Sequence, residues 1–444
     1  MRQLTKETKQ LLGELNSLPE ISNQSANRIT QTRKYKLITP LFGGGVKARE
    51  NDTSKLIRET SIRGQLRFWW RATRGTGTIA DMKNREDEIF GSADERVGQS
   101  KISITVTEIN IGKETDLFKL GKTKSGNRKV DPADGWRDVA YAAFSLQPTS
   151  EELKAHEAPN LLKVRKGVGF TIKITYPKNE ESELQAALWA WETFGGIGGR
   201  TRRGFGALDL TEVTDEEGNT IPLQKYTQDG IEEQIKADIS KYCISASSSI
   251  FPTLSNASFK IKKQDDETKA WGYAVKKLRD FRQVRDMGGG HPGRNKWTEP
   301  DQLRREFMKR FPCKLTSHTP ISSIDKFRRG EFGLPIVFHF QRDEGIDKDF
   351  TLTGKVSNKI ERLASPLILR PVKCGEKAVS LALILDTPRI PNGGWDLVYG
   401  KNGSIVTAKT DRLDKTEVTG LTGLKNQLNG KTDVLEAFLE YFAT

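Results

Sequence analysis

The run Ser61–Arg74 (Ser-Ile-Arg-Gly-Gln-Leu-Arg-Phe-Trp-Trp-Arg-Ala-Thr-Arg) constrains this chain most. Set on a helix at 100° per residue, Ile62, Leu66, Trp69 and Thr73 share one narrow face. Arg63, Arg67, Trp70, Arg71 and Arg74 share the neighbouring face. The first face has to be covered by a core. The second presents guanidinium groups around an indole, a pairing that suits phosphates and an unstacked base. The spacing therefore predicts a helix with Trp69 inside and Trp70 exposed for contact with single-stranded nucleic acid.

The segments around it give the fold class. Arg28–Thr39, Lys101–Ile109, Val168–Tyr176 and Ala207–Val213 are rich in β-formers and read as strands. Glu181–Phe194 reads as a second helix, with Leu184, Leu188 and Trp191 on one face. Strand, helix, strands, helix, strand is the order of a ferredoxin-like βαββαβ sandwich with an antiparallel sheet. The second half repeats the plan loosely. A strand at Ser258–Lys263 precedes a long helix at Glu267–Asp286. After a helical stretch at Leu303–Phe311, Phe332–Phe340, Phe350–Gly354, Ser365–Val372 and Val379–Asp386 read as strands. Asp433–Phe442 reads as a helix that docks on a core. The expected class is α+β, with two tandem ferredoxin-like domains at 28–225 and 245–444, after an N-terminal extension at 1–27. The polar stretch from Asp215 to Lys241 separates them, and Lys113–Gly135 reads as an exposed basic excursion.

Lys and Arg total 72 against 58 Asp and Glu, a formal net charge of +14 that favours a polyanionic partner. No run reaches the apolar length of a membrane span and the N-terminus lacks a signal-peptide core, so a cytoplasmic protein without a membrane partner is expected. Cys243, Cys313 and Cys374 are widely spaced and form no zinc-type pattern, so no metal and no cofactor are expected.

Two Gly-rich basic loops stand out. Gly195–Gly206 (Gly-Gly-Ile-Gly-Gly-Arg-Thr-Arg-Arg-Gly-Phe-Gly) leads from a helix to a strand and lacks the Lys-Ser/Thr of a P-loop. Bare backbone at Gly198 and Gly199 beside Arg200, Arg202 and Arg203 suits a polyphosphate chain. Met287–Arg294 is the second loop, flanked by Arg285 and ending in Arg294. Lys47 and Arg49, in the loop before the signature helix, complete the candidate RNA-binding set. No catalytic constellation emerges from the four histidines. His291, in the second loop, is the one candidate general acid/base for RNA cleavage.

Three features coincide: Thr39-Pro40-Leu41-Phe42-Gly43-Gly44-Gly45 ending a strand, the Arg63–Ala72 helix signature, and the 195–206 loop. Together they resemble the RAMP superfamily of CRISPR-associated proteins, and within it the first-numbered RAMP subunits of type III-B Cmr effector complexes. Leu363–Leu369 is similar to the family with less distinction. The resemblance implies two RRM-like RAMP domains and no catalytic residues. It implies a subunit that holds the 3′ part of the guide RNA beside other RAMP subunits and helps capture target RNA. A metal-independent RAMP endoribonuclease that processes CRISPR precursor RNA, with His291 or another His and a Lys or Tyr as general acid/base, is the competing reading, and a generic RNA-binding module is a third.

Overall fold

The computed structural model describes residues 27–444 except 44–48, 53, 93–97, 246–250, 289–290, 312–321, 341–345, 347, 357–358, 392 and 401–403. The helix expected at Thr5–Leu15, Lys47, Cys313 and His318 lie outside the described residues. The chain is a mixed α/β protein built on antiparallel sheets.

Four strands make the first sheet: β1 (Arg28–Leu37), β2 (Ser103–Asn110), β7 (Gly169–Pro177) and β8 (Leu208–Thr214), in the order β2-β7-β1-β8, with every neighbouring pair antiparallel. Helices α1 (Glu59–Arg74) and α2 (Ile79–Phe90) lie between β1 and β2 in sequence. Helix α3 (Glu181–Phe194) connects β7 to β8. A Thr78/Asp81 capping box starts α2 by satisfying backbone N–H groups that have no intrahelical acceptor.

The Lys113–Gly135 segment is not a bare excursion. Strand β3 (Lys113–Asp116) pairs with β6 (Lys163–Lys166), and β4 (Phe118–Lys122) forms a hairpin with β5 (Arg128–Pro132). The lysines face out, as their charge requires. Leu117 and Phe118 point inward and join Trp136, Phe205 and Trp271 in a core. A scan weighted by polarity misses two apolar anchors in a basic stretch.

The polar stretch after Asp215 holds helix α4 (Ile231–Tyr242), whose Ile231 and Ile235 are fully buried in the same core as α1 and α3. A linker it is not: the charges occupy its outer face.

The second sheet has the order β15-β16-β9, from β9 (Thr253–Gln264), β15 (Leu367–Cys374) and β16 (Lys377–Asp386), again antiparallel. Helix α5 (Glu267–Arg282) follows β9, and α7 (Val434–Ala443) closes the chain. Between them lie the hairpin of β10 (Arg285–Gly288) and β11 (His291–Asn295) and helix α6 (Glu299–Arg310). Strands expected to belong with this sheet form another one. β12 (Ile336–Phe338), β13 (Phe350–Val356), β14 (Lys359–Glu361), β17 (Trp395–Tyr399) and β18 (Ser404–Ala408) pack around α6 through Leu303 and Phe307. Phe332, read as the start of a strand, ends a 3₁₀ turn instead, at Arg328–Phe332.

Side-chain alternation shows how the halves join. On β15 and β16, Ile368, Val372, Val379, Leu381, Leu383 and Leu385 enter the core that holds α1 and α3. Leu367, Leu369, Ala382 and Ile384 enter a separate core with α5 and α7. A period of two sends neighbours to opposite faces, so this sheet is buried on both sides. The layers run first sheet, α1 with α3, second sheet, α5 with α7.

Candidate nucleic-acid interface

Trp69 is buried, as its helical phase demands. It packs against Phe194 at 6.0 Å between ring centroids. Trp70 overturns the expectation placed on it: only 2% of its surface is exposed. Its Nε1 donates to Glu183 Oε2 at 2.7 Å, and its ring meets the Phe90 edge at 6.5 Å. The reason is α2, which folds back on the second face of α1. A helix covered on two sides has no free face for an indole to stack from.

The same helix neutralises the arginines. Arg67 binds Glu86, Asp87 Oδ1 at 2.8 Å and the Gly91 carbonyl at 3.0 Å. Arg71 donates to Glu86 Oε2 at 2.6 Å, and Arg74 pairs with Glu183 at 3.5 Å. Burial opposes the charge on Asp87, yet Lys83 and Arg67 hold its carboxyl below the ordinary range. The signal was in the sequence: the adjacent acids Glu86 and Asp87 supply the partners of Arg67 and Arg71. Arg63, by contrast, is half-buried with no hydrogen-bond or ion-pair partner among the described residues.

Arg49 adopts a left-handed backbone (φ 67°) and binds Glu152, with Nη1 3.2 Å from Oε2. Arg294 is bound to Asp301. Arg285 is exposed on β10, with no side-chain partner among the described residues. His291 lies in β11, with its side chain outside the described residues. The described residues contain no group of three His, Cys, Asp or Glu able to hold a metal ion.

The Gly195–Gly206 loop turns inward. At Gly198 (φ +84°) a Cβ would sit 2.3 Å from Leu41 Cδ1 and 2.5 Å from the Phe42 carbonyl oxygen. At Gly204 (φ +85°) it would collide with Trp271 Nε1 at 2.6 Å. The protein's own atoms demand these glycines, and the Gly199 N–H is spent on the Phe42 carbonyl at 2.7 Å. The bare backbone expected to meet phosphate is thus largely occupied by the segment after β1.

Two of its three arginines reach into the second half, and Arg200 stays within the first. Arg200 Nε donates to the Ala142 carbonyl at 2.9 Å. Arg202 donates to the Ser365 carbonyl, with its guanidinium 5.3 Å from the Phe68 ring centroid. Arg203 donates to the Leu367 carbonyl at 2.7 Å and to Ser365 Oγ at 3.0 Å. Its acceptors are neutral, so burial, aided by Arg200 and Arg282, pushes its pKa down to about 9. Arg200 and Arg202 are lowered by burial as well.

Residue-by-residue reading missed the reciprocal element. Arg370 on β15 is 1% exposed and crosses the other way. It donates to the carbonyls of Glu192 at 3.1 Å, Gly195 at 2.6 Å and Leu208 at 2.9 Å. The first two lie at the C-terminal end of α3, where the helix dipole favours a cation. Burial lowers its pKa to about 10. One arginine inside the apolar run Leu367–Val372 was the available clue.

Residues 34–209 match the model of the RAMP superfamily. The chain is 26% identical over 329 residues to the CRISPR system Cmr subunit Cmr1-1 of Pyrococcus furiosus, covering 72% of this chain and 78% of that protein. It is 28% identical over 183 residues to Cmr1-2 of the same organism, covering 39% and 90%. Among solved structures, the apo crystal structure of Cmr1 from Pyrococcus furiosus aligns with a TM-score of 0.47 at 15% identity, over 81% of this chain and 88% of that one. The cryo-EM structure of the type III-B Cmr-beta bound to cognate target RNA aligns with a TM-score of 0.47 at 13% identity, over 94% and 100%.

Proposed function

We propose, from the match of residues 34–209 to the model of the RAMP superfamily, that this chain is a non-catalytic RNA-binding subunit of a type III-B CRISPR (Cmr) ribonucleoprotein. It holds the 3′ part of the guide RNA beside other RAMP subunits and helps capture target RNA for antiviral defence. The observation that carries this reading is the 26% identity to a Cmr subunit across 329 residues, which extends well past the family-matched segment. The net charge of +14 supports a polyanionic partner.

The domain plan belongs to the same proposal. The order β2-β7-β1-β8, with helices crossing between its strands, supports a ferredoxin-like first unit. The order β15-β16-β9, with α5 and α7, supports a second such unit that lacks one edge strand, placed at 245–444 and interrupted by the β12–β18 sheet.

Among the candidate residues, Arg63, Arg285 and Lys47 are the ones we assign to direct RNA contact. Arg63 and Arg285 have charge to spare. Arg49, Arg67, Trp70, Arg71, Arg74, Arg200, Arg202, Arg203 and Arg294 shape and support the surface through their protein partners.

The test is assembly with the other Cmr subunits and guide RNA, followed by RNA retention across a salt series. Retention should fall steeply with salt and be insensitive to guide sequence. Each of Arg63→Ala and Arg285→Ala should reduce the slope of log affinity against log salt by about 1. A flat salt response overturns the proposal. So does discrete, metal-independent cleavage of a CRISPR repeat RNA in EDTA, which transfers the role to a processing nuclease.

A further inference from the structure

A cavity of about 350 Å³ lies where β1, the segment after β5 and helix α5 meet. It is separate from the signature helix. Its inner wall is aromatic: Trp136 and Trp271 are 6% and 2% exposed and meet edge to face at 6.3 Å. The Lys166 ammonium stands 4.2 Å over the Trp136 ring. Trp271 Nε1 donates to the Arg203 carbonyl at 2.7 Å, so this wall is anchored to the Gly-rich loop.

The mouth carries Lys166, Lys276 and Asp138, all exposed, and among the described residues none of the three has an ion-pair partner. Lys269, also at the mouth, is paired with Asp265 at 2.7 Å.

These groups select a ligand by chemistry. Two ammonium groups with no ion-pair partner among the described residues call for an anion. The indoles, with Ile38 and Pro40, call for a flat, largely apolar body. A free carboxylate in the same cavity repels a ligand that is anionic throughout and accepts from an amino group. We propose that this cavity holds one nucleotide, with its base against Ile38, Pro40 and the exposed edges of the indoles, its phosphate on Lys166 and Lys276, and an exocyclic amino group donating to Asp138. Adenine and cytosine carry that amino group, and uracil presents a carbonyl in its place. The nucleotide belongs either to a single-stranded RNA or to the free pool.

Calorimetric titration of the full chain with AMP, UMP, inorganic phosphate and tri-adenylate decides both questions. Saturable AMP binding is expected, at least about tenfold tighter than UMP. Inorganic phosphate should be weak. Tighter binding of tri-adenylate than AMP assigns the site to a strand, and equal binding assigns it to the free nucleotide. Lys166→Glu with Lys276→Glu should cost about tenfold or more, and Asp138→Ala should abolish the preference for AMP over UMP. Thr268→Trp, at an exposed lining position, should occlude the cavity. Melting curves confirm that each variant folds. Absent AMP and tri-adenylate binding, or binding unchanged in the folded charge-reversal and occluded variants, overturns the proposal. RNA retention by the assembled complex, measured in parallel, reports separately on the subunit's RNA-holding role.

Discussion

Replacing Arg370 with leucine isolates the contact that joins the two halves. The substitution removes a buried guanidinium and leaves the carbonyls of Glu192, Gly195 and Leu208 without their donor. Each unsatisfied carbonyl costs about 1–3 kcal/mol. Removing a charge from a helix C-terminus forfeits up to about 2 kcal/mol more. Against this stands the relief of desolvation, which is several kcal/mol for a buried ion. The balance is a loss of about 3–5 kcal/mol. With an unfolding entropy of roughly 2.1 cal/mol/K per residue, a chain of 444 residues that melts as one unit loses about 3–5 °C in Tm. If Arg370 also couples the halves, the single transition splits in two. Differential scanning calorimetry reads both effects. A variant that melts in one transition at the wild-type temperature refutes the reasoning.

Three further outcomes follow from the contacts around α1 and α7. Trp70→Ala should cost about 3–5 kcal/mol in chemical denaturation, because it opens a cavity and removes the indole donor to Glu183, while Trp70→Phe should retain RNA binding. Arg67→Ala should destabilise by about 1.5–3 kcal/mol by removing one of the two cationic partners of each buried acid, Glu86 keeping Arg71 and Asp87 keeping Lys83, whereas Arg63→Ala should stay within about 0.5 kcal/mol; equal losses in thermal melts would contradict the ion-pair description. Asp433 caps α7, and although burial opposes its charge, Arg389 and Arg412 hold its pKa below 3.8. A depressed carboxyl pKa adds stability above the unfolded value that is lost as pH falls through the folded one, so wild type should lose stability below about pH 4 more steeply than Asp433→Asn.

The strands and helices of the first sheet were legible because apolar periodicity reports burial on one face, and β1, α1, α3, β7 and β8 each have such a face. Trp69 was legible for the same reason. Trp70 was not, because a helical wheel shows which residues share a face and not which faces are covered. That depended on α2 returning across α1, and the clue was the acidic pair Glu86-Asp87. The loop arginines at 200–203 were recognised as a cluster but assigned to an outside partner. Their acceptors, the carbonyls of Ala142, Ser365 and Leu367, are backbone atoms that carry no sequence signature. The β12–β18 sheet was missed as a unit because pairing β13 with β17 joins residues separated by two of the second sheet's three strands, β15 and β16.

The shared layer of α1 and α3 has a consequence in time. Helix α1 ends at Arg74, but the sheet of β9, β15 and β16 that closes the core of the α1 and α3 layer is complete only at Asp386. The ribosome must therefore add about 300 residues after finishing α1 before that wall exists. At about 5–20 residues per second the interval is roughly 15–60 s. Throughout it, the apolar surface of the helix layer that belongs against the second sheet faces solvent, so the nascent chain depends on chaperones or on an early partner subunit to stay soluble until its own second half arrives.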